Sequence, residues 1–196
     1  MLSKKATDIF NQWALVGKDD GMQKHHSSAV NIMLDTLVRS RSSKFSFVDA
    51  GCGNGWVVRE MRKHPLCTRS IGIDGAEEMI RKAKLIDPTG NYILSDLLAW
   101  VPEDAFDLVH SMEVFYYFKS PKKVIKHIVK NWLNEGGEMI MGIDFYKENT
   151  GNIGFSSFRT SSGPILKTKR SCKDFRSSFP TNSCPYFRFL AFLALF

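Results

Sequence analysis

Apolar and polar positions along the chain change their period several times, which predicts alternating helices and strands. A first helix is predicted over residues 4–15, and a second begins at Ser27 or Ser28. A loop rich in glycine and charged residues joins them. Five short apolar runs follow, with amphipathic stretches between them. The predicted strands are 45–48, 70–73, 91–94, 106–111 and 138–144, and the predicted helices are 56–63, 76–85 and one that begins at Ser120-Pro121 and ends at Gly136-Gly137.

Strands that are apolar throughout and alternate with helices are typical of a parallel sheet covered on both faces. Right-handed crossovers then give an α/β fold with a doubly wound, mostly parallel sheet. The 196 residues fit one such domain. We expect a helical cap over residues 1–40, a Rossmann-like core over 41–150 and a tail over 151–196.

The net charge of +7 is concentrated in the tail. Residues 1–150 hold 20 basic and 19 acidic side chains, whereas residues 151–196 hold seven basic side chains against Asp174 alone. A nucleic-acid footprint should lie on the folded face that binds, so nucleic acid is disfavoured as a partner. No apolar run approaches the ~20 residues of a membrane helix, so no membrane association is expected. Four cysteines without a CxxC pair favour a reducing, cytoplasmic location.

The segment from Asp49 to Gly55 joins a predicted strand to a predicted helix and is rich in glycine. Gly51, Gly53 and Gly55 stand at alternate positions, where they allow a tight turn and let a ligand lie against main-chain N–H groups. Ligands of open α/β sheets bind at the carboxyl ends of the strands. Taken alone, the segment also suits a plain turn between a strand and a helix.

Acidic side chains end the next two predicted strands. Asp74 stands where a carboxylate can accept hydrogen bonds from both hydroxyls of a ribose. Asp96 can accept from an exocyclic amine, and the backbone N–H of Leu97 can reach a ring nitrogen. Asp96 on its own is equally consistent with a turn cap. Together the three strand ends predict a binding site for adenosine.

In order and spacing, these segments resemble the motifs of the class I S-adenosylmethionine-dependent methyltransferases. The matching segments are 48–55, 71–80, 95–97, 106–114 and 133–137, the last with Glu135 where the family has proline. The resemblance covers roughly residues 27–146 and implies S-adenosyl-L-methionine as the cofactor. Position 58 is valine, where a dinucleotide-binding loop has glycine or alanine, so a dehydrogenase is disfavoured.

The resemblance implies a role for each matching residue. The three glycines would carry the methionine portion of the cofactor, and Asp49 would orient the loop or hold the cofactor's amine through water. Asp74 would bind the ribose hydroxyls and Asp96 the adenine amine, beside Leu97. Ser111, after the fourth strand, would border the methionine portion.

Transfer from an activated methyl group mainly requires alignment of the nucleophile, with a general base where that nucleophile carries a proton. Glu113 and Tyr117 are the residues predicted to be catalytic, ahead of Tyr116, Asp144 and Tyr146. The stretch 113–118 resembles the Glu-x-x-Glu-His segment of metal-assisted RNA methyltransferases, but tyrosines replace its second Glu and its His. No metal site is therefore expected.

An aromatic wall after the fourth strand suits an apolar or cationic ligand. We therefore expect a monomeric enzyme that methylates an oxygen or nitrogen atom of a small molecule. The alternatives are a methyltransferase that acts on a protein or RNA group, and a catalytically impaired protein that still binds the cofactor. His25 and His26 are expected to be solvated loop residues.

Members of the family continue after the fifth strand with a helix and an antiparallel pair of strands. Here residues 151–185 form a Ser-rich and basic stretch without a helical pattern, so that strand pair is doubtful. The apolar segment 186–196 is either the last strand or an unnatural end produced by splicing or a frameshift, and the second is favoured. In that case the fifth strand would be an exposed edge.

Overall fold

The computed structural model describes residues 6–144 and 188–194. Its helices are α1 (Ala6–Leu15), α2 (Asp20–Val38), α3 (Trp56–Arg62), α4 (Glu77–Ile86) and α5 (Pro121–Asn131). Its strands are β1 (Phe45–Ala50), β2 (Cys67–Asp74), β3 (Asn91–Leu94), β4 (Phe106–Met112), β5 (Leu133–Asp144) and β6 (Arg188–Ala194). None of the helices in these two segments has the length and apolar character needed to cross a membrane.

The strands form one sheet in the order β3-β2-β1-β4-β5-β6, and every neighbouring pair is parallel. This confirms the predicted doubly wound α/β fold. All six residues of β1 are buried, because β1 lies between two strands and beneath helices on both faces. Val48 packs with residues of α5 on one face, and Phe47 packs with residues of α2 and α3 on the other.

Several predicted boundaries are wrong. Strands β2 and β5 begin at Cys67 and Leu133, and not at residues 70 and 138. Helix α2 begins at Asp20, so His25 and His26, which were expected in a loop, lie in its first half. Helix α5 ends at Asn131 and not at the glycine pair 136–137. It ends there because the next residue, Trp132, is fully buried and donates its indole N–H to the Trp100 carbonyl oxygen at 2.9 Å, which turns the chain into β5.

The end of the chain departs from the expected pattern. Residues 188–194 form β6, which runs parallel to β5 over Glu138–Asp144. The expectation that β5 is an exposed edge is therefore wrong over these residues. The origin of the segment by splicing or a frameshift stays a hypothesis. The candidate residue Tyr146 and the basic stretch 151–187 lie outside the described residues, and the proposed division at residues 40 and 150 stays a prediction.

Candidate active site

A cavity lies where the strand order changes direction, between the carboxyl ends of β1 and β4. The loop Gly51–Gly55 follows β1, and Glu113 follows β4. Helix α2 also contributes to the wall. The cavity is lined by Met22, His26, Asp49, Gly51, Cys52, Gly53, Asn54, Trp56, Val57, His110, Met112 and Glu113. Such crevices at the carboxyl ends of parallel strands are the usual ligand sites of doubly wound sheets.

Backbone hydrogen bonds hold the glycine loop against β2. The N–H groups of Gly51 and Cys52 donate to the Ile73 carbonyl oxygen at 2.7 and 3.0 Å. The N–H group of Gly53 donates to Asp74 Oδ2 at 2.9 Å. These three N–H groups are used within the protein. They therefore position the loop, rather than facing a ligand as the sequence suggested.

Two glycines of the loop, both with positive φ, differ in what surrounds them. A Cβ atom on Gly55 would collide with the ring of Tyr92, because that ring packs directly against the loop. A Cβ atom on Gly53 would find only Met79 Sδ, at 4.0 Å. Gly55 is therefore required by packing, whereas Gly53 borders open space in the cavity.

Asp74 connects the loop to the start of α4. Its Oδ2 accepts from Gly53, and its Oδ1 accepts from the Ala76 N–H at 2.8 Å. Burial raises the pKa of the Asp74 carboxyl, and the N–H groups of Ala76 and Gly53 partly offset that rise. Asp74 does not line the cavity itself, but it fixes the loop that does.

The other predicted cofactor residues lie away from the cavity wall. The Asp96 side chain is exposed, and its Oδ1 accepts from the Leu98 N–H at 2.7 Å, which is a turn cap. Leu97 is buried in the core. The Ser111 hydroxyl is fully buried and donates to the Ala50 carbonyl oxygen at 2.7 Å, which ties β4 to β1. Their contacts with a cofactor stay predictions.

Sequence reasoning missed a buried pair in the cavity wall. Asp49 and His110 are register partners on β1 and β4, and their side chains meet with Oδ1 and Nδ1 2.7 Å apart. The ring of Phe47 stacks beside the imidazole. Both the aspartate and the histidine are almost completely buried. The signal in the sequence was a histidine near the end of a predicted buried strand.

A second missed cluster joins α2 and its preceding turn to the loop. Asp19 is fully buried and accepts from Asn54 Nδ2 at 2.9 Å and from Lys82 Nζ at 2.8 Å. Lys82 also pairs with Asp20 at 2.7 Å. Asn54 belongs to the glycine loop and Lys82 to α4. The hydrogen bond from Asn54 therefore ties the start of α2 to the loop, and the ion pairs of Lys82 tie it to α4.

Glu113 has an unusual backbone conformation, with a φ of 61° that is rare outside glycine. The Tyr116 hydroxyl donates to Glu113 Oε2 at 2.8 Å and lies 3.0 Å from the Tyr117 hydroxyl. Burial raises the pKa of both tyrosines, so they stay neutral at physiological pH. Tyr117 does not line the cavity and reaches Glu113 through Tyr116, while the edge of Phe10 packs on its ring.

No group of three or more metal-ligating side chains comes together within residues 6–144 and 188–194. Of the ten predicted site residues, the cavity unites Asp49, Gly51, Gly53 and Glu113. It adds His26, Asn54 and His110, which the sequence analysis had not assigned to a site.

A family model described as a methyltransferase domain matches residues 22–149, which is more than half of the chain. The chain therefore belongs to this methyltransferase family. The fold and the match confirm the resemblance to class I S-adenosylmethionine-dependent methyltransferases.

Two curated relatives differ in what their names say they act on. The tRNA U34 carboxymethyltransferase of Glaesserella parasuis is 34% identical over 100 residues, which is 48% of this chain and 31% of that protein. The trans-aconitate 2-methyltransferase of an Azoarcus species is 28% identical over 90 residues, which is 46% of this chain and 35% of that protein. The matched region thus spans about a third of either relative.

Solved structures share the fold. The complex of the Haloferax volcanii Trm112 methyltransferase activator with a putative methyltransferase gives a TM-score of 0.60 at 28% identity, over 69% of this chain and 58% of that chain. The N-methyltransferase NodS from Bradyrhizobium japonicum, in complex with S-adenosyl-L-homocysteine, gives a TM-score of 0.51 at 22% identity, over 59% of this chain and 60% of that chain. The second likeness is one of fold alone.

The two glycines of the loop provide a matched pair of variants. We expect Gly53→Ala to lower the free energy of unfolding by about 1–2 kcal/mol, the cost of a positive φ for alanine. Gly55→Ala should cost about 1–3 kcal/mol more, because its methyl group collides with Tyr92. Urea denaturation of both variants measures the difference. Equal losses would contradict the packing role of Gly55.

Proposed function

We propose that this protein is an S-adenosyl-L-methionine-dependent methyltransferase that transfers a methyl group to an oxygen or nitrogen nucleophile of a small molecule without a metal ion. The observation that carries the proposal is the cavity between the glycine loop and the end of β4, with two carboxylate residues in its wall. Family membership supports the reaction type. The chain matches only about a third of each curated relative, so their names do not give its substrate. The substrate class is therefore inferred from the site.

The residues of the cavity fit the methionine portion of the cofactor. That portion carries a positive sulfonium and an ammonium group, and Asp49 and Glu113 supply negative charge in the same wall. Gly53 leaves open space where any other residue would place a side chain. Membership of the methyltransferase family supports S-adenosyl-L-methionine as the cofactor.

The cofactor, when bound, supplies a methyl group activated by its sulfonium. The protein's part is to hold the acceptor in line and to remove its proton. Glu113 is the residue we assign to proton removal, because it lines the cavity just beyond β4. Tyr116 is a neutral donor that holds one carboxylate oxygen of Glu113 and so fixes the direction of the other.

The acceptor is proposed to be small and apolar or cationic because a cluster of aromatic side chains lies beside Glu113. Tyr116 and Tyr117 pack with ring centroids 4.3 Å apart, and Phe10 of α1 packs against Tyr117.

An RNA acceptor is the second candidate, favoured by the tRNA-modifying relative and by the basic tail. Methyl transfer to tRNA that disappears when the basic residues between 151 and 187 are replaced by glutamine, with β6 retained, would favour RNA. Cofactor binding without transfer to either class of acceptor would favour a catalytically impaired protein.

Calorimetric titration with S-adenosyl-L-homocysteine tests the cofactor assignment. We expect saturable binding by the wild-type chain, weakened at least tenfold by Asp74→Ala, because the variant loses the predicted ribose contact and releases the Gly53 N–H group. The control is Asp104→Ala, a highly exposed aspartate whose side chain pairs with Arg69 at 3.6 Å. Absence of binding by a folded wild-type chain would refute the proposed function.

Substitution at Glu113 tests the chemistry. Glu113→Gln should lower the rate of methyl transfer at saturating cofactor about 100-fold, which is a usual contribution of a general base. Saturating cofactor is used because the variant also removes a negative charge from the cavity wall. Tyr117→Phe should have a smaller effect, since its hydroxyl reaches Glu113 only through Tyr116. Single-turnover kinetics with a methyl-accepting substrate measure the rate of methyl transfer in each variant, separately from substrate binding. An unchanged rate in Glu113→Gln would remove this residue from proton transfer.

A further inference from the structure

Two buried polar atoms in residues that line the cavity have no hydrogen-bond partner within the described part of the chain. They are Asn54 Oδ1 and His110 Nε2. A third such atom, Arg41 Nε, belongs to a residue outside the cavity lining. Buried polar groups are nearly always satisfied, because leaving one unpaired is unfavourable. Two unpaired atoms at one cavity therefore point to a ligand that pairs with them.

The partner of His110 defines the chemistry of its free nitrogen. Asp49 Oδ1 lies 2.7 Å from Nδ1, and a carboxylate oxygen can only accept, so Nδ1 carries the proton of this bond. In the neutral ring Nε2 is then an acceptor. The full burial of the ring and its stacking on Phe47 hold this orientation.

The orientation of the Asn54 amide is fixed in a similar way. Its Nδ2 donates to Asp19 Oδ2, and Asp19 is itself held by Lys82. The amide oxygen of Asn54 is therefore the atom left without a partner. Both unpaired atoms are acceptors, and the carboxylates of Asp49 and Glu113 line the same cavity.

A cavity lined by hydrogen-bond acceptors and carboxylates suits a cation that carries several N–H donors. We infer that His110 Nε2 and Asn54 Oδ1 accept hydrogen bonds from the ammonium group of the cofactor's amino-acid portion, an inference that rests on the proposed function. An ammonium group has three donors, enough for both acceptors and a carboxylate. Both atoms have almost no solvent-accessible surface, so binding requires a side chain of the cavity wall to move aside.

The substitution His110→Asn isolates the free nitrogen. The asparagine amide can keep the donation to Asp49, but it has no atom at the position of Nε2. We expect this variant to bind S-adenosyl-L-homocysteine about tenfold more weakly, while its affinity for 5′-methylthioadenosine, which lacks the amino-acid portion, stays within twofold of wild type. The matched control is His127→Asn on α5, a histidine outside the cavity lining that pairs with the Trp100 carbonyl oxygen. It should bind both ligands as the wild type does.

A measurement on the wild-type chain covers the case in which the variant fails to fold. An analogue of S-adenosyl-L-homocysteine with hydroxyl in place of the ammonium group should bind at least tenfold more weakly than the parent. Equal affinity for the two ligands would overturn the inference, as would a folded His110→Asn that affects both adenosine ligands alike or neither. In either of those outcomes, binding of S-adenosyl-L-homocysteine by the wild type would still support the proposed function. No binding of S-adenosyl-L-homocysteine by the wild type would refute both.

Discussion

The reversal of strand order at β1 is the constraint on which the rest of the site depends. Its neighbours β2 and β4 lie on opposite sides of β1. The loop after β1 leads towards β2, whereas the loop after β4 leads towards β5, so the two loops turn away from each other. This creates the crevice into which the glycine loop turns. Asp49, His110 and Glu113 come together because β1 and β4 end at this point. His110 and Glu113 are close in sequence, whereas Asp49 lies about 60 residues before them.

The N-terminal helices are fastened over the crevice by a buried polar cluster. Asp19 is a fully buried carboxylate, and buried charges persist only when they are paired and hydrogen-bonded. Its partners Asn54 and Lys82 belong to the glycine loop and to α4. The cluster therefore couples the position of α2 to the conformation of the loop.

Much of the fold could be predicted from the sequence, because its strands are short, apolar and separated by amphipathic helices. Asp49, next to the end of β1, and Asp74, at the end of β2, were also identifiable from position alone. The start of α2 was not, since polar contacts between Asp19, Asn54 and Lys82 hold a stretch with little apolar pattern. The parallel pairing of β6 with β5 and the meeting of Asp49 with His110 depend on long-range register, which no local pattern reports.

The central claim is that the cofactor's methionine portion lies between the glycine loop and the end of β4, beneath α2. Hydrogen–deuterium exchange with and without S-adenosyl-L-homocysteine tests that placement directly. We expect added protection to concentrate in residues 49–56, 110–113 and the first half of α2, with β6 unchanged. Protection confined to other parts of the chain, with these three segments unaffected by bound ligand, would contradict the account.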